Sequence, residues 1–302
     1  MLLNFLLSVF FIFNNAFALN LVEFMTERFA EEPVKTEYQA YQLMKNKHQD
    51  LPITYVAVPW VVLINAKQTH LAKHLRATNG WTVCQHDFYE QIIPMLKEIG
   101  ITTLFTQNVN KSYDGIMVLP FPDIAPNGVD PAAVKDVYCS FVGSEWTHHI
   151  RKVMFDSLKK DKRFLLIKRT GTWHFFNKNQ GQVAREKKEF QDILARSRFS
   201  LCPRGVGANS FRFWESLRAG AIPILISDGL VLPEGVDWNK CIVRVKESEV
   251  ARIPQILNRI SNEREAEMRS NCLEVFRMFS GDNFVSPILR YYQNLKLNQL
   301  CI

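Results

Sequence analysis

The chain has no Asp-x-Asp pair, no G-x-x-x-x-G-K-[ST] loop and no Cys-x-x-Cys. The first absence removes a paired-carboxylate means of holding a divalent cation against a diphosphate, and no metal or cofactor is expected. The second argues against ATP hydrolysis, which uses that loop to cradle phosphates. The third leaves Cys84, Cys139, Cys202, Cys241, Cys272 and Cys301 without the spacing of a zinc or thiol–disulfide motif. Cys84, Cys139, Cys202 and Cys241 lie in apolar, strand-like runs, where a free thiol packs as a small hydrophobe. One or two disulfides remain open if the chain is secreted. Long apolar runs are also scarce. Residues 2–13 are apolar except for Asn4 and Ser8, and they lead through Asn14-Asn15 to Ala16-Phe17-Ala18, an A-x-A cleavage pattern. That run falls short of the ~20 residues of a spanning helix. Residues 1–18 therefore read as a signal peptide, although Lys and Arg are missing from its start; an uncleaved signal-anchor reaching Val22 and a buried N-terminal element are the alternatives. No repeat or low-complexity tract interrupts the remainder.

What is present points to a packed globular protein. The 302 residues are 47% hydrophobic, enough for two domains of roughly 100–150 residues. The net charge of +7 is dispersed. Its densest cluster, Lys159-Lys160-Asp161-Lys162-Arg163, reads as a solvated helix end, and no nucleic-acid recognition motif accompanies it. Residues 19–50 are mixed and charged, and suggest a stem or an outlying helix. A first domain is expected over 51–130, with strand or core at 53–58 and 61–64, strands at 81–84, 102–105 and 115–119, and a helix over 88–99 that Pro94 kinks or delays and Gly100 ends. Breaker-rich residues 121–131 form the linker. A second domain is expected over 131–302, with strands at 137–142, 164–167 and 241–245 and a polar loop at 178–188. Its helices are expected at 149–159, 190–194, 250–260, 263–279 and 284–297. Alternating strands and helices predict a parallel α/β arrangement in both halves.

The most informative block is 199–245. Phe199 and Leu201 lead into Cys202-Pro203-Arg204-Gly205, a further glycine at Gly207, a short helix after Ser210, and the apolar run Ala221-Ile222-Pro223-Ile224-Leu225-Ile226 stopping at Asp228-Gly229. This is strand, Gly-rich loop, helix, strand. Such a loop and helix start turn free N–H groups toward one spot, where an anion fits. Arg204 adds a fixed charge with bidentate geometry. Arg212 and Glu215, three apart, share one helix face, while Phe211, Trp214 and Leu217 are expected to hold the helix against the sheet.

These residues carry a resemblance. Cys202-Pro203-Arg204-Gly205, Ser210-Phe211-Arg212-Phe213-Trp214-Glu215, Ala219-Gly220-Ala221-Ile222-Pro223-Ile224-Leu225, Leu232-Pro233 and Asp237-Trp238 stand in the order found in exostosin-type glycosyltransferases, family 47. A fainter likeness begins at Ser140-Phe141-Val142-Gly143, with Arg151 downstream. The resemblance implies a GT-B-like α/β fold, two Rossmann-like domains facing a cleft, with the donor on the C-terminal half and the acceptor mainly on the N-terminal half. It implies an inverting transfer from a nucleotide sugar, UDP-linked by preference, to a glycan acceptor, with one transferase activity and no metal requirement. The phrase W-E-S-L-R-A-G-A-I-P-I-L is also similar to transferases that use GDP-fucose, which lack the C-P-R-G turn. A non-catalytic glycan- or phosphate-binding module with the same fold is a third reading.

On this reading Arg204, Gly205, Gly207 and Ser210 receive the diphosphate, where negative charge builds as the bond breaks; Arg204 also fits as a turn arginine paired to a carboxylate, and Ser210 as a plain N-cap, a role compatible with the first. Glu215 takes the ribose hydroxyls, or forms an ion pair with Arg212 or Arg218. Arg212 touches phosphate or orients Glu215. Asp228 lines the donor pocket or makes a turn. Arg151 belongs to a second phosphate-facing turn; His148 and His149 read as surface histidines. An inverting reaction needs a base, and His86 or Asp87, at the end of a strand, is the candidate, with Asp123 behind them. Asp87 also fits as a helix N-cap. The N-terminal segment implies the secretory lumen (Golgi or ER in a eukaryote) or membrane association through the N-terminus.

Overall fold

The computed structural model describes residues 19–25, 35–109, 113–125, 128–169 and 180–300; the expected signal segment lies outside them. The chain forms two compact units. One holds the chain through Asp123, Val231–Glu234 and the chain from Gly281 onward; the other holds Ile124–Leu230 and Gly235–Ser280.

The first unit is built on a five-stranded parallel sheet of β1 (Asn20–Glu23), β2 (Thr54–Ala57), β3 (Gly80–Val83), β4 (Ile101–Thr106) and β5 (Met117–Pro120), in sequential order. Parallel strands are covered on both faces and so read as continuous apolar runs. Helices α1 (Lys35–Lys47), α2 (Trp60–Asn65) and α3 (Ile93–Glu98) join them. The stem expected at 19–50 is corrected here. β1 pairs with β2 in parallel, Leu21 opposite Tyr55, and α1 buries Thr36, Glu37, Ala40, Tyr41, Leu43 and Met44. A four-residue edge strand is too short to give a period, and a helix that buries Thr and Glu has no clean apolar stripe. The strand or core expected at 61–64 is helix α2, with Val61, Leu63 and Ile64 buried; a short apolar run does not by itself distinguish the two. The helix expected over 88–99 is a 3-10 turn at Tyr89–Ile92 followed by α3. Pro94 sits in the first turn of α3, where its missing N–H leaves no partner unpaired.

The second unit has the parallel order β10-β9-β8-β6-β7, with β6 (Val137–Gly143), β7 (Phe164–Lys168), β8 (Ser197–Pro203), β9 (Ile222–Ile226) and β10 (Val243–Arg244). Its helices are α4 (His149–Leu158), α5 (Gln180–Arg196), α6 (Phe211–Ala219), α7 (Ile253–Leu257) and α8 (Asn262–Met278). The order reverses between β6 and β8. The carboxyl ends of strands at such a switch are where open α/β sheets take ligands. Of the polar loop expected at 178–188, the described residues from Gln180 on are the start of α5. Its Gln, Arg, Lys and Glu are good helix formers, and its buried residues Phe190, Ile193 and Leu194 all lie in the second half. In α6, Trp214 and Leu217 are buried as expected, but Phe213 joins them and Phe211 stands 55% exposed. Phe211 is the first helical residue and lies past the surface its helix covers. Phe213, Trp214, Trp238 and Phe279 make one aromatic cluster, with Trp238 and Phe279 stacked 6.0 Å apart. Gly220 ends α6 in a left-handed conformation at φ 62° that favours glycine.

The chain then returns to the first unit through α9 (Ser286–Leu300). Tyr291 and Tyr292 pack on Trp81, and Phe284 on Phe121. The single cut expected between residues 130 and 131 therefore does not describe the chain: it leaves the first unit at Asp123 and re-enters it twice. Such long-range returns leave no local pattern. The two parallel α/β units are the Rossmann-like pair of the expected GT-B-like class. Cys84, Cys139, Cys202, Cys241 and Cys272 are free and buried. The basic cluster is locally neutralised, Lys159 by Asp156 at 2.8 Å and Arg163 by Asp161 at 2.7 Å. No described helix is long and apolar enough to cross a membrane.

Candidate functional site

The expected donor residues converge on the β6–β8 switch. β8 ends at Pro203, and the Arg204 N–H still donates to Ile226 O at 2.9 Å, which prolongs the ladder to β9. The turn then closes on itself: the Gly205 N–H donates to Asn209 O at 3.1 Å. Gly205 was expected to offer that N–H to an anion, and here it is taken up inside the turn. Ser210 occupies the N-cap of α6 with extended backbone and makes no side-chain cap bond, so its hydroxyl does not satisfy the first turn of the helix. Gly207 lies within the same turn, and its region is buried.

Arg151, in the first turn of α4, is a staple. Its Nε donates to Arg204 O at 2.9 Å, Nη1 to Ser144 O at 3.1 Å and Nη2 to Pro203 O at 3.4 Å. The planar guanidinium fork binds the loop after β6 to the loop after β8, a geometry an ammonium does not reproduce. Arg212 plays a parallel part on the opposite side. Its Nη2 donates to Val142 O, and its guanidinium lies 4.2 Å from the Phe141 ring and 5.3 Å from that of Phe190. A Cβ on Gly143 would stand 3.1 Å from that Nη2, so glycine leaves room for the approach. Burial pushes the Arg212 guanidinium below its usual range, opposed by Cys202 and Glu215, and its buried Nε has no acceptor among the described residues. Glu215, one turn on, is half-buried.

Arg204 faces a different set. Its Nη1 lies 4.0 Å from the Glu247 carboxylate, its Nη2 donates to Val206 O at 3.4 Å, and its Nε is buried without an acceptor among the described residues. Glu247 and Asp228 cap each other: the Asp228 N–H donates to Glu247 Oε1 at 3.2 Å and the Glu247 N–H to Asp228 Oδ1 at 3.0 Å. Of the two roles expected for Asp228, the structure displays the turn. His148 is the N-cap of α4, its Nδ1 accepting from the Ile150 N–H at 3.4 Å. The His148 and His149 rings are 4.3 Å apart. Ligand-capable atoms of His148, His149 and Glu247 all lie within 4.8 Å of one another, the group among the described residues with the spacing of a cation site. Sequence reasoning missed His148 and Glu247. Paired histidines at a helix start after a strand were their only signal, and Glu247 had none.

In the first unit, His86 and Asp87 do follow the carboxyl end of β3. His86 is engaged at both ring nitrogens: Nδ1 accepts from the Phe88 N–H at 3.0 Å, and Nε2 lies 3.0 Å from Asn65 Oδ1. The first bond fixes the proton on Nε2, so the lone pair of a base is already used. Burial pushes this imidazole below its usual range. Asp87 is exposed and accepts from Asn108 Nδ2 at 3.1 Å; it does not cap a helix, since Phe88 occupies that position. Asp123 is buried and accepts from the Thr36 hydroxyl at 2.8 Å. Glu37, also unforeseen, is a buried carboxyl that accepts from the backbone N–H groups of Gln85 at 3.1 Å and Val61 at 3.5 Å. Burial pushes it up despite those bonds.

The family model of the Exostosin GT47 domain matches residues 64–260, more than half of the chain. An Exostosin-1 homolog of Caenorhabditis elegans is 40% identical over 93 residues, which are 30% of this chain and 24% of that protein. A probable glycosyltransferase of Arabidopsis thaliana is 24% identical over 206 residues, 64% of this chain and 41% of that one. The matched stretches thus span less than half the length of these relatives. Among solved structures, a pneumococcal O-GlcNAc transferase in complex with UDP and GlcNAc aligns at TM-score 0.43 and 10% identity, over 85% of this chain and 59% of that one.

Proposed function

Because the chain belongs to the exostosin GT47 domain family, we propose that it is a glycosyltransferase that moves a sugar from a nucleotide diphosphate sugar, preferentially UDP-linked, to a glycan acceptor with inversion. The observation that carries this reading is the Arg204 guanidinium, held at a sheet switch point by a stapled turn, with a buried Nε that lacks an acceptor among the described residues and a carboxylate at 4.0 Å, too far for a hydrogen bond. An incoming diphosphate supplies what that group lacks, and a charge-assisted bidentate contact is among the strongest available in water. Glu215 is assigned to the ribose hydroxyls. Asp87 is assigned to the proton of the acceptor hydroxyl, because His86 has its lone pair engaged. Gly205 and Arg212 support the turn and do not contact the donor. No metal is required: the leaving charge is met by Arg204 and the start of α6. The A-x-A pattern at Ala16-Phe17-Ala18 supports action in the secretory lumen, with the N-terminus as a membrane contact if it is retained.

The test is calorimetric titration of the chain with UDP, GDP and their sugars, with and without Mn²⁺. Saturable binding of one nucleotide, independent of metal and weakened about ten- to a hundredfold in Arg204→Ala, is expected. Binding of GDP in preference to UDP would move the reading to a GDP-fucose-type transferase. Nucleotide binding without sugar release in the presence of any glycan would leave a binding module.

A further inference from the structure

His148, His149 and Glu247 have the spacing of a cation site, yet their surroundings favour the opposite charge. The Nδ1 of His148 accepts the Ile150 N–H. In the neutral ring that bond leaves the proton on Nε2, which then donates and does not ligate. Glu247 is already turned to the Asp228 N–H and toward Arg204. The charged and titratable groups that act on His148 are Arg204 on the turn after β8, His149 and Arg151 on α4, and Glu247 at the start of the 3-10 turn Glu247–Arg252 that follows β10, so three of the four are cationic or can become so. A divalent cation placed here would lie against Arg204. Arg204 and His148 both stand against the Glu247 carboxylate, so an anion arriving there meets a guanidinium and an imidazole N–H.

We propose that His148 is a further donor-site residue, whose Nε2–H binds the diphosphate of the nucleotide beside Arg204; when that anion arrives the ring takes up a proton at Nδ1, giving up the long 3.4 Å contact from the Ile150 N–H, which is weaker than the 3.0 Å bond that engages His86. This rests on the reading of the Arg204 turn as a nucleotide site. Burial, Arg204, His149 and Arg151 together hold the free imidazole below its usual range, against the pull of Glu247. A bound diphosphate adds negative charge and raises it. The complex therefore holds more proton than the free protein between the two pKa values, and affinity rises as pH falls through that window and levels off below it. The same charge gives the leaving diphosphate a partner that strengthens as the bond breaks.

His148→Asn is the decisive variant, because asparagine keeps the N-cap and an N–H donor but never carries charge. UDP binding is measured by calorimetry from about pH 5 to about pH 8.5, together with the proton uptake seen in buffers of different ionisation enthalpy. Taking the ratio of wild-type to variant affinity cancels the titration of the phosphate itself, near pH 6. The ratio is expected to rise by about tenfold from the alkaline to the acidic end, with net proton uptake by the protein seen in wild type alone. A flat ratio with both proteins binding UDP overturns the role of His148 and leaves the Arg204 site standing. Failure of both proteins to bind any nucleotide at any pH overturns the nucleotide reading and this proposal with it. Saturable binding of Zn²⁺ or Mn²⁺ alone, lost in His148→Asn, overturns it in favour of a metal site.

Discussion

The Nε of Arg151 donates to the carbonyl oxygen of Arg204 at 2.9 Å, and two further nitrogens of the same fork hold Ser144 and Pro203. One side chain thus sets the shape of the turn that presents another. Arg151→Lys keeps the charge but offers a point donor in place of a planar fork. It is expected to lose about two of the three bonds, at ~0.5–1.5 kcal/mol each. Thermal unfolding should show the loss, and nucleotide affinity should fall although Arg151 itself does not touch the ligand. An unchanged melting temperature would mean that the turn is held by something other than this staple.

Arg204→Ala separates binding from folding. Its contact with Glu247 is long and partly solvated, and such pairs contribute ~0–1 kcal/mol. Stability should therefore change little, while UDP affinity falls by about ten- to a hundredfold, the equivalent of a charge-assisted hydrogen bond of ~1.5–3 kcal/mol. Calorimetry and denaturant unfolding on the same preparation read the two effects separately. A large drop in stability with affinity intact would mark Arg204 as structural.

Asp87→Asn and His86→Gln divide the assignment of the base. Loss of a general base lowers turnover by about 10²–10⁴-fold, and Asp87→Asn is expected to show that loss with UDP affinity unchanged. His86→Gln removes the acceptor for the Phe88 N–H and should reduce activity less. The readout is UDP release from the UDP-sugar in the presence of acceptor glycans. The reverse order of the two effects would return the role to His86.

Lys135 gives a pH dependence that has nothing to do with the site. Its ammonium donates to Ala195 O and Ala219 O, near the C-terminal ends of α5 and α6, and burial followed by Arg269 pushes it down to about 8. The folded state therefore binds less proton than the unfolded chain between about pH 8 and the lysine reference value near 10.4, and wild-type stability gains from this group as pH rises through that window. Lys135→Met should lack that rise and should lose ~1–2 kcal/mol at neutral pH through the two helix-end bonds. Denaturant midpoints at about pH 7 and about pH 9.5 test both statements; an equal rise in the variant would assign the slope to another group.

Much of the second unit was readable from the chain. The strand–turn–helix–strand succession of 199–226 was visible because β8 and β9 are buried on both faces and therefore continuously apolar, and because Gly220 ends α6 where a left-handed residue is needed. The side chains around this turn could also be picked out by position, but the partners of three residues could not. Arg151 binds carbonyl oxygens of the neighbouring loops, Arg212 binds a carbonyl of strand β6, and Gly205 closes its own turn. Each of those partners is a backbone atom more than a turn away or on another strand, and backbone atoms carry no sequence signature. His148 and Glu247, nearly a hundred positions apart, could only be joined by packing of α4 against the 3-10 turn Glu247–Arg252.

By itself the sequence determined the class of the fold, most of the strands after β1 and the turn on which the site is built, because apolar period, breakers and turn chemistry act over a few residues. The tertiary structure decided which strands are neighbours, that the order reverses between β6 and β8, and that the chain re-enters its first unit through α9. It also decided which of three cations stays available to a ligand. Arg151, Arg204 and Arg212 have the same chemistry. Only their distances to carbonyl oxygens, rings and carboxylates separate two staples from the one whose guanidinium keeps an acceptor at 4.0 Å.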